Sequence, residues 1–190
     1  MDTVSATFVG SVFIATSLDG FIARRDGSLD WLPGADGQPA TTEGDDDDDY
    51  GYASFVASVD ALLMGRTTYD AVLGFGQWPY GATPVVVLTT RDLPLPDDPT
   101  AVVSAISGDA LDVARRLVAQ GHRHVYIDGG RTVQQFLAAG LIRRLVISRL
   151  PVLLGEGIPL FGALSADVRL RHETTESFPT GLVQSTYRID

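Results

Sequence analysis

Pro84-Val-Val-Val-Leu-Thr-Thr90 carries three valines in succession before a leucine. Successive side chains of a strand point to opposite faces, so a run with no polar position has apolar groups on both and needs cover on both. A sheet with layers above and below is the expectation. The surrounding pattern agrees: strand-like segments at 8–16, 60–65, 84–90, 101–105 and 124–128 alternate with helical spacing at 50–59, 66–73, 109–120 and 129–140. A long apolar strand over 145–154, a turn at 155–159 and an antiparallel pair at 168–178 and 182–189 complete the chain. The expected fold is α/β, a central mainly parallel sheet with an antiparallel C-terminal edge and flanking helices. No internal repeat and no linker divides residues 1–190, so one domain is expected. The polar, Gly-rich segment over 34–49, which ends in five consecutive Asp, reads as a mobile acidic loop within it.

Fourteen basic against twenty-four acidic residues leave a formal charge of −10, the wrong sign for gathering nucleic acid. Without cysteine there is neither a disulfide nor a thiolate metal site, and no His/Asp/Glu spacing suggests another metal. Met1-Asp2-Thr3 does not begin a leader pattern, and no apolar run reaches the length of a membrane span. A cytoplasmic protein acting on a small molecule is the expectation.

Ligands of such sheets bind at the carboxyl ends of the strands. Three predicted strands end alike, in Gly65-Arg66-Thr67-Thr68, in Thr89-Thr90-Arg91 and, after Ile127, in Asp128-Gly129-Gly130-Arg131-Thr132-Val133. Each offers hydroxyls, N–H groups and one guanidinium, a set suited to several phosphates of one extended ligand. Gly129-Gly130 fits both an anion-binding turn and an ordinary strand-to-helix turn. His122 and His124, at a strand start, read as structural or solvated.

Ala15 with Leu18-Asp-Gly20, Met64-Gly-Arg-Thr-Thr-Tyr69, Val87-Leu-Thr-Thr-Arg91 and Asp128-Gly-Gly-Arg-Thr-Val-Gln-Gln-Phe136 resemble the dihydrofolate-reductase-like superfamily. Ser17-Leu-Asp-Gly-Phe-Ile-Ala23, Ser28-Leu-Asp-Trp-Leu32, Phe75-Gly-Gln-Trp-Pro-Tyr80 and Leu153-Leu-Gly-Glu-Gly-Ile-Pro-Leu-Phe161 resemble, more closely, stand-alone relatives of the reductase domain of the bifunctional riboflavin-biosynthesis deaminase–reductase. The resemblance implies NADPH as cofactor. Ala15 and Ile22 would border its nicotinamide, Gly65 to Thr68 and Gly129 to Val133 its pyrophosphate, and Thr89 to Arg91 its adenosine end. Arg66 and Arg91 would select NADPH over NADH, and the loop from Ser17 to Pro33 would close over the nicotinamide.

The resemblance also implies a carboxylate that assists protonation near the helix before Met64-Gly-Arg66. Counting back from Gly65 gives Asp49, with Tyr50 and Tyr52 beside it, or equally a cap for the helix that follows. Asp19 is a second candidate or a turn residue. Trp31, Tyr50, Phe75, Trp78 and Phe161 would wall the substrate pocket, unless they belong to the core. The implied reaction is hydride transfer to a C=N or C=O bond, with 5-amino-6-(5-phosphoribosylamino)uracil as the family-derived substrate. Dihydrofolate reduction and a non-catalytic nucleotide sensor are the alternatives. A homodimer is expected from the apolar content of the last three strands, and the family suggests a strained or cis peptide within Asp128-Gly129-Gly130.

Overall fold

The computed structural model describes residues 7–32 and 49–190. The acidic segment at 34–49, Asp49 excepted, lies outside the described residues. In chain order the elements are β1 (Val9–Ser17), β2 (Phe21–Ala23), α1 (Tyr52–Ala57), β3 (Ala61–Gly65), α2 (Arg66–Leu73), β4 (Val85–Leu88), β5 (Val103–Ile106) and α3 (Ala110–Ala119). There follow β6 (His124–Asp128), α4 (Gly130–Ala138), β7 (Ile142–Leu150), β8 (Ile158–Pro159), β9 (Arg171–Ser177) and β10 (Val183–Arg188).

Eight strands form one sheet in the order β5-β4-β3-β6-β1-β7-β10-β9. Every pair from β5 to β7 is parallel, and β10 lies antiparallel to both β7 and β9. The valine run has the cover it requires. Val86, Leu63, Val125 and Ile127 pack with Val113 and Leu117 of α3 and Val133 and Phe136 of α4. Their alternating neighbours Val85, Val87, Leu62, Met64 and Tyr126 pack with Phe55 of α1 and Tyr69 and Val72 of α2. Residues of one strand thus feed two cores, which fixes the register of every central strand, since a one-residue slip would exchange the two sets.

Three expectations need correction, and the ground given for a dimer is not met. β7 runs over Ile142–Leu150 rather than 145–154, because it pairs with β1 from Gly10 to Ser17 and Pro151 follows its last residue. The segment read as a turn at 155–159 contains β8, which pairs antiparallel with β2. This contact spans most of the chain and leaves no local pattern. The apolar side chains of β7 are buried, Val183 and Tyr187 of β10 are half-buried, and β9 is exposed but polar, so the apolar content of the last three strands is largely not exposed. The exposed Leu153, Phe161, Leu164 and Leu170 lie in the connections instead. Finally, no cis peptide occurs among the described residues, Asp128-Gly129-Gly130 included.

Candidate functional site

A crevice opens because β1 leaves one neighbour partway along. β1 pairs with β6 only at Val9, Gly10 and Ser11, yet follows β7 to Ser17. From Val12 onward its β6-facing side has no ladder partner, while β6 continues beside β3 to Asp128. One side chain bridges the gap, for the Tyr126 hydroxyl donates to the Phe13 carbonyl at 2.8 Å. Ala15 lies on the diverging part of β1, paired with Ser148 of β7. His124 closes the opposite end of the strand. Its Nδ1 lies 2.7 Å from the Ser58 carbonyl and must donate there, leaving Nε2 to accept from the Ser11 hydroxyl at 2.8 Å.

Some of the expected cofactor residues meet one another: Gly129 with Thr68, Gly130 with Ile22 and Gly65 with Thr132. Gly129, which caps α4, has φ 85° and ψ 137°, a conformation closed to L side chains, and a Cβ there would collide with the Thr68 hydroxyl. At Gly130 a Cβ would come 2.9 Å from Ile22 Cδ1 and 3.3 Å from the Pro159 carbonyl. The start of α4 is thus pressed between the start of α2 and the β2–β8 ribbon. A Cβ on Gly65 would lie 3.1 Å from the Thr132 hydroxyl, so the two helix starts also touch through this pair. Ile127, Thr132 and Val133 are buried, whereas Arg131 and Thr67 face outward. N–H groups in the first turn of α4 lack intrahelical acceptors, and the helix dipole favours an anion before them.

Beside this turn lies an acid that sequence reasoning passed over. Asp128 accepts the Gly129 N–H at 2.7 Å, but burial outweighs that bond and pushes its carboxyl from 3.8 up to about 6. Tyr52, Tyr80 and Tyr126 surround it closely enough that its charge, added to their burial, raises all three phenols. The Tyr126 hydroxyl is occupied by Phe13. Those of Tyr52 and Tyr80 make no hydrogen bond among the described residues. A protonatable carboxyl with two uncommitted phenols can donate to an oxygen or nitrogen that gains a pair of electrons. The sequence signal was available in an apolar strand ending on an acid before Gly-Gly.

The two carboxylates singled out from sequence have other partners. Asp49 accepts from the Gly51 and Ala53 N–H groups at 2.9 and 2.7 Å, which caps α1. Asp19 accepts from the Ser17 hydroxyl at 2.6 Å and from the N–H groups of Leu154 and Gly155 at 3.2 and 2.7 Å. These bonds, the Ser17 hydroxyl foremost, hold its pKa below the usual carboxylate range and tie the β1–β2 turn to the segment before β8. Among the aromatics, Trp78 is buried against Tyr69, and Tyr50 packs edge-on to Phe178 at 4.8 Å. Phe75 and Phe161 are exposed. Trp31 Nε1 is buried with no hydrogen-bond partner among the described residues, a donor for which a ligand atom would be an acceptor.

A second recess, about 270 Å³ in volume, lies where β4 and β5 end and contains Thr89, Thr90 and Arg91. Arg66 is not in its lining. Its Nε donates to Asp70 Oδ1 and its Nη1 to the Asp92 carbonyl, both at 2.6 Å, so it straps α2 to the loop after β4. Among the described residues no three His, Cys, Asp or Glu side chains group to hold a metal, and no helix is long and apolar enough to cross a membrane.

Comparison with known proteins gives one consistent picture. Residues 10–184 match the RibD C-terminal domain family. A solved structure from Shewanella sp. PV-4, provisionally named a riboflavin biosynthesis protein, superposes with a TM-score of 0.84 at 39% identity, covering 96% of this chain and 99% of its own. The uncharacterized protein YwjB of Bacillus subtilis (strain 168) is 35% identical over 169 residues, 88% of this chain and 90% of the relative. Dihydrofolate reductase HdrB of Haloferax volcanii is 33% identical over 147 residues, 74% of this chain and 67% of the relative. The fold is dihydrofolate-reductase-like.

Proposed function

The chain belongs to the RibD C-terminal domain family, and from that premise we propose that it is an NADPH-dependent reductase of a C=N or C=O bond in a small substrate. One observation carries the reading. A carboxyl whose pKa is pushed up to about 6 stands beside a glycine turn that admits no Cβ and opens a helix. The turn suits a pyrophosphate and the acid suits the proton that must accompany a hydride.

When bound, NADPH supplies the hydride. The chain's own part begins with Gly129 to Val133 and Gly65 to Thr68, whose N–H groups and hydroxyls would hold the pyrophosphate. Ala15 and Ile22 would flank the nicotinamide, and the β2–β8 ribbon, anchored by Asp19, would exclude water. Asp128 holds a proton in neutral solution far more readily than an ordinary carboxyl and would deliver it to the substrate heteroatom, with Tyr52 and Tyr80 as further donors. Asp49 would support the pocket by capping α1.

The family points to 5-amino-6-(5-phosphoribosylamino)uracil, reduced from the ribosyl to the ribityl form. A second reading, reduction of dihydrofolate, is favoured by the identity with HdrB. The test is NADPH consumption by the purified protein with each substrate in turn, with isolation of the reduced product. Turnover of the uracil alone supports the first reading, and turnover of dihydrofolate alone the second. NADPH that binds and is never consumed with either would remove both in favour of a nucleotide sensor.

A further inference from the structure

The backbone before α1 takes an uncommon course. Tyr50 has φ 52°, the left-handed region in a residue with a full side chain, and it is the one non-glycine residue to do so among the described residues. Gly51 follows with φ 82° and ψ 12°, and α1 begins at Tyr52. Such a course persists only where the surroundings hold it. Asp49 fixes the turn by accepting from the Gly51 and Ala53 N–H groups, and two further holds come from the C-terminal hairpin. The Tyr50 ring meets Phe178, just beyond β9, edge-on at 4.8 Å. The Tyr50 carbonyl accepts from Gln184 Nε2 of β10 at 3.1 Å, across 134 residues of sequence.

Chemistry fixes the orientation of the Gln184 amide. A peptide carbonyl can only accept, so the amide atom beside Tyr50 is the nitrogen. Its second proton goes to Ser148 Oγ at 3.0 Å, and buried Ser148 is the direct β7 partner of Gln184. Ala15 of β1 pairs with Ser148 on the other side. Directly paired residues share a face, so Gln184 projects from the face that bears Ala15 and, two residues earlier, Phe13. The Phe13 ring lies 5.4 Å from that of Tyr52, edge-on, and Tyr52 is 6.4 Å from Tyr126. A chain of contacts thus runs from Gln184 through Tyr50 to the first residue of α1, whose phenol stands near Asp128.

We infer that Gln184 is a positioning residue for the proposed reduction: by holding the Tyr50 carbonyl from β10, it sets the Tyr52 phenol in its place near the Asp128 carboxyl. The inference rests on the reading that Asp128 and Tyr52 supply the proton. The residues expected to hold the pyrophosphate lie outside this chain of contacts, so the effect falls on turnover and not on NADPH binding.

Gln184→Met keeps the length of the side chain and removes both donors. NADPH consumption by the full chain is measured with 5-amino-6-(5-phosphoribosylamino)uracil and with dihydrofolate. The variant lowers kcat about tenfold and leaves KM for NADPH unchanged. In a Tyr52→Phe background the same change costs nothing further, as for two residues that act as one unit. A merely structural loss lowers both backgrounds alike. A second readout needs no turnover. NMR of the chain labelled at tyrosine Cζ, with Tyr52 assigned from Tyr52→Phe, shows its signal move as Asp128 ionises near pH 6. In Gln184→Met that movement shrinks about twofold, while those of Tyr80 and Tyr126, held by other elements, are retained. Ser148→Ala, which leaves the amide tied to Tyr50 alone, gives a smaller change in the same direction should the methionine variant fail to fold. Equal losses of kcat in the two backgrounds, or a Tyr52 signal that moves in the variants as in the wild type, overturn the inference and leave the reductase reading standing. A wild-type chain that consumes no NADPH with either substrate overturns both.

Discussion

Replacing Asp128 with Asn separates what this acid does for folding from what it would do for catalysis. Burial raises its carboxyl from 3.8 to about 6, so the folded chain binds this proton more tightly than the unfolded one. The contribution of this one group to stability is then greatest below about pH 4, falls as pH rises toward about 6, and levels off above it. The difference between the two pKa values corresponds to about 3 kcal/mol at pH 7.5. Asn does not titrate, and its side-chain oxygen can still accept the Gly129 N–H. Urea unfolding of both proteins from pH 4 to pH 8 should give equal stabilities at the acid end. Asp128→Asn should be ahead by up to about 3 kcal/mol at the alkaline end, or about 6–12 °C in melting temperature. Reductase turnover should move the other way, falling about 10²- to 10⁴-fold in the variant, while the wild-type rate declines above about pH 6. A stability difference that does not change with pH would refute the burial reasoning, and an unchanged turnover would refute the proton assignment.

Gly129→Ala forces a side chain into a positive-φ conformation and against Thr68, and should cost about 2–4 kcal/mol by denaturant midpoint; a neutral variant would mean that the turn is not tight. Tyr126→Phe removes the hydroxyl that spans the gap between β1 and β6 and should cost about 1 kcal/mol in the same assay. Trp31→Phe deletes a buried donor with no partner among the described residues, so the unliganded protein should lose no stability through hydrogen bonding, while substrate affinity should fall if the indole N–H meets the ligand. Asp19→Asn weakens the tie to Leu154 and Gly155. Because the Asp19 pKa is lowered, its contribution exists above pH 4 and is lost as pH falls through the folded value, so protection of residues 153–155 from proteolysis should differ between variant and wild type only above that range.

Features written in adjacent residues were legible in the sequence. The valine run demanded two covered faces and has them, and α2 begins at Arg66 and ends at Leu73 as its spacing predicts. The strand ends at Gly65 and Gly129 could be named because a strand running straight into a helix leaves a local pattern, and the one before Thr89 because the apolar run stops there. Features made by distant partners were not. β8 exists only because Phe21–Ala23 lies beside it, and the raised pKa of Asp128 comes from burial among side chains drawn from α1, β6 and the loop before β4. The commitment of Arg66 had a local cue in Asp70 one helical turn later, which the parallel with Arg91 obscured. Gln184 had none, since a glutamine in a C-terminal strand reads as an ordinary surface residue.

The central place of β1 has a consequence for how the chain reaches this fold. Its two neighbours in the sheet come from the far side of the sequence: Ser11 of β1 meets His124 of β6 across 113 residues, and Ser17 of β1 lies opposite Leu150 of β7. While β3 and β4 can pair as soon as both exist, β1 presents two open edges and an apolar sequence until β6 and β7 arrive. Loop closure over such spans is slow, and an unpaired apolar strand is open to intermolecular pairing while it waits. Refolding yield should therefore fall with protein concentration more steeply than equilibrium stability alone would suggest, with the N-terminal strand as the segment that aggregates.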